Sequence, residues 1–121
     1  MNIHESAEDY LEAILMLRLQ KGYTRSVDIA SMLNVTKPSV SFAMKKLREN
    51  GYISMDEENL ITLTPQGEEI ASRMLQRHRT IASFFEKLGV DEETALEDAC
   101  KIEHDISESS FQAICRFLEN E

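Results

Sequence analysis

No stretch of this chain approaches the roughly 20 apolar residues needed to cross a bilayer. Its start, Met1-Asn-Ile-His-Glu, has neither the basic nor the apolar region of a secretory signal. Cysteine is scarce: Cys100 and Cys115 are the only two, and without a C-x-x-C pair they exclude a disulfide framework and a structural zinc knuckle. Reduced thiols in a soluble, cytoplasmic protein are the expectation. There is no internal repeat and no low-complexity stretch. At 121 residues the chain suits one compact unit or two small joined ones, too short for a large catalytic domain; the expectation is not an enzyme.

Positive charge is also in deficit. Thirteen Lys and Arg against 22 Asp and Glu leave a net −9, which argues against nucleic-acid binding unless the cations are concentrated. Between Thr24 and Met55 the five cations Arg25, Lys37, Lys45, Lys46 and Arg48 stand against only Asp28 and Glu49, a net +3; from Ala71 onward six cations meet eleven carboxylates. The chain is acidic with one basic island, and chance unevenness is the plain alternative.

What is present is periodicity. From about Ser6 to Leu19, Ala7, Tyr10, Leu11, Ile14, Leu15 and Leu17 or Arg18 recur at helical spacing as one apolar stripe, closed by Gly22. Ser26 reads as the cap of a short helix, Val27 to Leu33, and Asn34-Val35 as a tight turn. Thr36 caps the next helix, with Pro38 in its first turn and Val40, Met44 and Leu47 on one face, ending at Asn50-Gly51. The period then changes to two short strands, Tyr52–Met55 and Leu60–Leu63, joined by an acidic turn. Thr64-Pro65 opens a long helix closed by Gly89, Asp91 caps a fifth helix running to about His104, and Ser107 caps the last. The fold class expected is mainly α with a small β-hairpin. Residues 1–70 are expected to form a winged helix-turn-helix, and residues 71–121 a second, helical region.

The third helix is the candidate recognition helix. Its first turn offers Thr36, Lys37, Ser39 and Ser41, short polar groups that can reach base edges or phosphates as this end enters a major groove, and Lys45, Lys46 and Arg48 suit phosphates. The acidic hairpin tip, Asp56-Glu57-Glu58, repels phosphate and makes a weak DNA contact. A winged module for protein contacts is the competing reading.

Potential metal ligands come from three helices. Asp9 and Glu12 share a face of the first; Cys100, Glu103 and His104, at i, i+3 and i+4, share a face of the fifth; His78 lies on the fourth between Met74 and Ile81. Carboxylate with imidazole suits manganese(II), iron(II) or cobalt(II), and a thiolate shifts preference towards iron, cobalt or zinc. Singly, each has a plain reading: dipole partner, core histidine, small buried cysteine. Together, Cys100-x-x-Glu103-His104 is more specific, because three such groups are expensive to bury unpaired.

Three segments, Ser6-Ala-Glu-Asp-Tyr-Leu-Glu-Ala-Ile, Met74-Leu-Gln-Arg-His-Arg and Asp98-Ala-Cys-Lys-Ile-Glu-His, with Thr64-Pro-Gln-Gly after the wing, resemble the diphtheria-toxin-repressor/manganese-transport-regulator (DtxR/MntR) family along essentially the whole chain. The resemblance implies a bacterial homodimeric repressor that binds double-stranded operator DNA when loaded with Mn2+ or Fe2+ (Co2+ or Zn2+ in vitro) and controls metal uptake. By position it implies metal ligands at Asp9, Glu12, His78, Cys100, Glu103 and His104, and DNA contacts at Arg25, Thr36, Lys37, Pro38, Ser39, Ser41, Phe42, Lys45 and Lys46. Asp9 and Glu12 match the manganese type, whereas Cys100 matches the iron type. By the same resemblance Ala82 and Leu96 would stand at the iron type's ancillary positions, and a short form without the SH3-like domain of longer members is the expectation. Phe42 stands where relatives often place a polar or basic side chain, either reaching thymine methyls or packing in the core. Repulsion between Asp9, Glu12 and Glu103 would be the off-state and coordination the on-state, setting two recognition helices roughly 34 Å apart. The remaining alternatives are a winged-helix regulator of a thiol or small-molecule effector acting through Cys100, and a small metalloenzyme. The enzyme lacks both a peptidase-type ligand set and paired Glu-x-x-His motifs.

Overall fold

The apolar spacing translates into six helices and one hairpin in a computed structural model that describes residues 5–120. In order these are α1 (Glu5–Lys21), α2 (Ser26–Leu33), α3 (Lys37–Glu49), β1 (Ile53–Met55), β2 (Ile61–Leu63), α4 (Pro65–Lys87), α5 (Glu92–Ile102) and α6 (Glu108–Glu119). They fall into two compact units that divide after Ser72, inside α4.

In the first unit α1 contacts α2, α3 and β2. The single stripe expected of it is too narrow: every residue from Leu11 to Leu15 is buried, as is Leu17. Five consecutive buried positions cover every side of a 3.6-residue turn, so α1 is the unit's central helix rather than a surface one. On α2, Ile29 and Ala30 are buried; the chain then turns through Asn34, left-handed at φ 54°, a conformation Asn tolerates. The N-cap of α2 is Arg25, and Ser26 is already helical; no side chain caps this end. Thr36 caps α3 as expected, accepting from the Ser39 amide at 3.2 Å, and Val40, Met44 and Leu47 fill the core.

Gly51, at φ 82°, makes the left-handed exit from α3 that a side chain resists. The hairpin pairs Ile53 with Leu63, Ser54 with Thr62 and Met55 with Ile61. Ile53, Ile61 and Leu63 point inward while Ser54 and Thr62 stay exposed. Asp56 Oδ1 accepts from the amides of Glu58 and Leu60, shaping the tip. The Ile61 amide donates to the Thr24 carbonyl at 2.9 Å, while the buried Thr24 hydroxyl donates to the Ile14 carbonyl. One threonine thus ties the hairpin to α1.

The second unit closes around Ile81 and Ala82 of α4, Ala95 and Ala99 of α5, and Phe111 of α6, flanked by Phe85, Val90, Ile102, Ile106 and Cys115. Asp91 caps α5 and Ser107 caps α6, each accepting one main-chain amide. Among the described residues no helix is long and apolar enough to cross a membrane.

Candidate metal centre and nucleic-acid interface

The fifth helix stops earlier than its spacing suggests. The Glu103 amide still donates to the Ala99 carbonyl, but the amides of Asp105 and Ile106 both turn back to Ile102, so Glu103 and His104 occupy the turn that follows α5. A carboxylate and an imidazole are thereby placed on irregular backbone between two helices, while Cys100 remains on α5, exposed.

Glu103 is completely buried. Its Oε2 lies 3.0 Å from His78 Nδ1, delivered by α4, and its Oε1 lies 3.5 Å from His104 Nε2, whose side chain is only 2% exposed. Burying a carboxylate in protein requires positive or hydrogen-bonding partners. Here the imidazole of His78 makes a hydrogen bond to one oxygen, and the imidazole of the adjacent His104, another metal-ligating group, lies near the other. The structure of this unit therefore brings together three of the residues singled out in the sequence: His78, Glu103 and His104.

Arg77, next to His78, has no place in the sequence reading beyond its motif. Its Nη1 donates to the main-chain carbonyls of Glu103 (3.1 Å) and Ile106 (3.0 Å), and its Nη2 to Glu108 Oε2 (2.8 Å). Gln112 and then Arg77, by hydrogen bonding, hold the Glu108 carboxyl below its ordinary value. The only signal in the sequence was an arginine beside a histidine inside an apolar helical pattern.

In the first unit, Asp9 and Glu12 lie three apart on α1, with Asp9 half-buried and Glu12 buried. Arg18 and Glu68 form a two-bonded ion pair, 2.8 and 2.6 Å, near one end of each of α1 and α4. Each shifts the other, Arg18 upward and Glu68 downward, chiefly by that hydrogen bonding.

The candidate DNA face is exposed throughout. Thr36, Lys37, Pro38, Ser39, Ser41, Phe42, Lys45 and Lys46 all stand in solvent, as does Arg25, whose guanidinium lies 5.2 Å over the Tyr23 ring. Thr36 does double duty: besides capping α3, its hydroxyl donates to Ser39 Oγ at 2.8 Å. Phe42 is not core. It is 64% exposed, with Lys46 Nζ 5.5 Å over its ring. It borders a groove of about 700 Å³ lined also by Tyr10, Pro38, Ala43 and Leu47.

Comparison with known proteins also divides the chain in two, at the start of α4 rather than inside it. Residues 2–59 match the family model described as "Iron dependent repressor, N-terminal DNA binding domain", and residues 64–120 match "Iron dependent repressor, metal binding and dimerisation domain". Over 114 residues the chain is 39% identical to the HTH-type transcriptional regulator MntR of Lysinibacillus sphaericus, covering 94% of this chain and 82% of that protein. It is 38% identical over 117 residues to an uncharacterised HTH-type transcriptional regulator of Methanocaldococcus jannaschii, covering 95% and 94%. Among solved structures, T. acidophilum IdeR matches with a TM-score of 0.84 and 32% identity over 98% of this chain, and the manganese regulator SloR with 0.82 and 28% over 100%. The chain spans 55% and 56% of those two solved chains.

Proposed function

Because the chain belongs to the iron-dependent repressor family, we propose that it is a metal-dependent transcriptional repressor that binds operator DNA as a homodimer and controls metal-uptake genes. The observation that carries this reading is the buried Glu103 carboxylate with His78 at 3.0 Å and His104 at 3.5 Å. The donor chemistry fits a borderline divalent ion: carboxylate plus imidazole suits manganese(II) and iron(II), and the ligand types on offer also admit Co2+ or Zn2+ in vitro.

The full ligand set in this reading is Asp9, Glu12, His78, Cys100, Glu103 and His104. A divalent ion held there would supply two positive charges against the three carboxylates of the set. Asp9 and Glu12 belong to the unit that carries the DNA-binding helix, and the other four residues to the unit matched as metal-binding and dimerising. Metal held by this set would make DNA affinity conditional on the ion, by favouring the DNA-competent arrangement over any other. At the DNA, Ser39 and Ser41 face base edges, Phe42 meets a thymine methyl, and Arg25, Thr36, Lys37, Pro38, Lys45 and Lys46 hold the phosphate backbone or approach it.

The test is selection of binding sites from a randomised duplex pool with Mn2+, Fe2+, Co2+ or Zn2+, against a chelator control. The selected site is then titrated with the wild type, Asp9→Ala and Glu103→Ala. Metal-dependent selection, lost in both variants, is expected; variants that retain metal-dependent binding would sink the ligand assignment. Cys100→Glu in the same titration reads the metal preference: the thiolate favours iron over manganese, and the variant shifts the balance towards manganese. Cys100 as a thiol sensor would instead show oxidant-dependent, metal-independent binding.

A further inference from the structure

Arg77 is 12% exposed at its side chain, and its guanidinium is spent on three acceptors in and beyond the turn that holds Glu103 and His104. That turn lies where α5 has ended, so its carbonyls have lost their helical partners. Nη1 takes two of them, one on each side of His104: the carbonyl of Glu103 and the carbonyl of Ile106. Nη2 reaches Glu108 in the first turn of α6, and the group lies 5.1 Å from the Phe111 ring centroid. Among the described residues the buried Nε meets no acceptor. Desolvating a guanidinium with one donor unmet is costly. An apolar side chain of similar length would avoid that cost, so the contribution of this arginine lies in the acceptors it joins.

Its neighbour His78 holds the same residue from the other side, through Nδ1 to Glu103 Oε2 at 3.0 Å. Two successive residues of α4 therefore grip Glu103, one by its main chain and one by its carboxylate. We infer that Arg77 is a positioning residue that presets the Glu103–Ile106 turn, so that Glu103 and His104 are already arranged when a divalent ion arrives. The inference rests on reading Glu103 and His104 as ligands, and it deepens that reading by locating what orders them. Partners one layer out from a metal typically change its affinity by about 10–100-fold when removed.

Two measurements on the full chain test this. The first is amide hydrogen exchange of residues 103–107 without metal, and the second is titration with Mn2+ and with Co2+, whose visible spectrum reports coordination geometry. Arg77→Met should accelerate exchange in the turn by on the order of tenfold, the size expected for losing charge-assisted bonds to the carbonyls. It should also weaken both ions by about 10–100-fold. Arg77→Lys, a point charge without the planar fork, should fall between, and it serves if Arg77→Met does not fold. Glu108→Gln leaves both carbonyl contacts in place and should retain wild-type exchange and affinity. Unchanged exchange in Arg77→Met overturns the inference. So does a Glu108→Gln variant as weak as Arg77→Met, because the ion pair to α6 would then be what matters. If the wild type binds neither ion, the ligand reading and this inference fall together. If it binds both and Arg77→Met binds them equally well, only this inference falls.

Discussion

A hydrogen atom decides position 67. A Cβ built on Gly67 would lie 2.0 Å from the Tyr52 carbonyl oxygen and 3.3 Å from Leu63 Cδ2. The carbonyl has little room to retreat, because it accepts from the Thr64 amide at 3.1 Å. Thr64 in turn donates from its hydroxyl to the Gly51 carbonyl at 2.7 Å and accepts the Gly67 amide. The start of α4 is pressed against the entry to β1, and only glycine fits. Helix propensity alone makes Gly67→Ala stabilising by about 1 kcal/mol, whereas overpacking against backbone makes it destabilising by about 1–3 kcal/mol. We expect the second to win, seen as a lower midpoint in thermal or urea unfolding; a raised midpoint would refute the packing argument. The sequence shows Thr64-Pro-Gln-Gly as a helix start but gives no sign of this contact, because what crowds Gly67 is the carbonyl of a residue fifteen positions earlier.

At the scale of elements, α1 and the start of α4 are joined by Arg18 and Glu68. The guanidinium holds the Glu68 carboxyl below its ordinary value of 4.5. A depressed folded value means the pair's contribution is complete above pH 4.5 and is lost as pH falls through the lowered value. Both side chains are about two-fifths exposed, so solvent screening limits the contribution to about 0–1 kcal/mol. Glu68→Gln should therefore lower stability slightly at pH 6 and converge with the wild type as pH falls through the carboxyl's lowered value. Urea melts across that range check it, and parallel curves at all pH values would count against the pair. This element pairing was not legible in the sequence, though the elements themselves largely were. Val40, Met44 and Leu47 announced the buried face of α3, and Thr36, Asp91 and Ser107 announced three helix starts, because a helix period and a capping side chain are local signals. The misjudged features are not local. The burial of Leu11 to Leu15 on every side of α1 depends on what surrounds them. Arg25 rather than Ser26 begins α2 because the chain arrives there from Thr24, fixed to both α1 and β2. The end of α5 at Ile102, which moves Glu103 and His104 off the helix, coincides with a turn whose carbonyls Arg77 takes from α4. The exposure of Phe42 follows from α3 turning Val40, Met44 and Leu47 inward, a choice its own spacing allowed but did not compel.

For the whole molecule the question is how a chain of net charge −9 approaches a polyanion. Long-range repulsion from the acidic remainder is screened within a Debye length of about 8 Å at physiological salt. Inside that distance the exposed cations of α3 dominate. Binding in the proposed function should then carry a salt dependence set by the number of phosphates those cations meet, with each lost phosphate contact reducing the slope of log affinity against log salt by about 0.9. Lys45→Gln and Lys46→Gln should each reduce it by about that amount, Lys45→Gln weakening all sequences alike, whereas Ser41→Ala should alter sequence preference and leave the slope unchanged. Lys46 carries an added consequence, since its ammonium lies over Phe42: removing it frees the ring as well as a charge, so Lys46→Gln should also relax preference at one position where Lys45→Gln does not. Fluorescence anisotropy with a selected duplex at several salt concentrations separates these outcomes. A slope unaffected by either lysine would mean that the basic island is not where this acidic protein meets DNA.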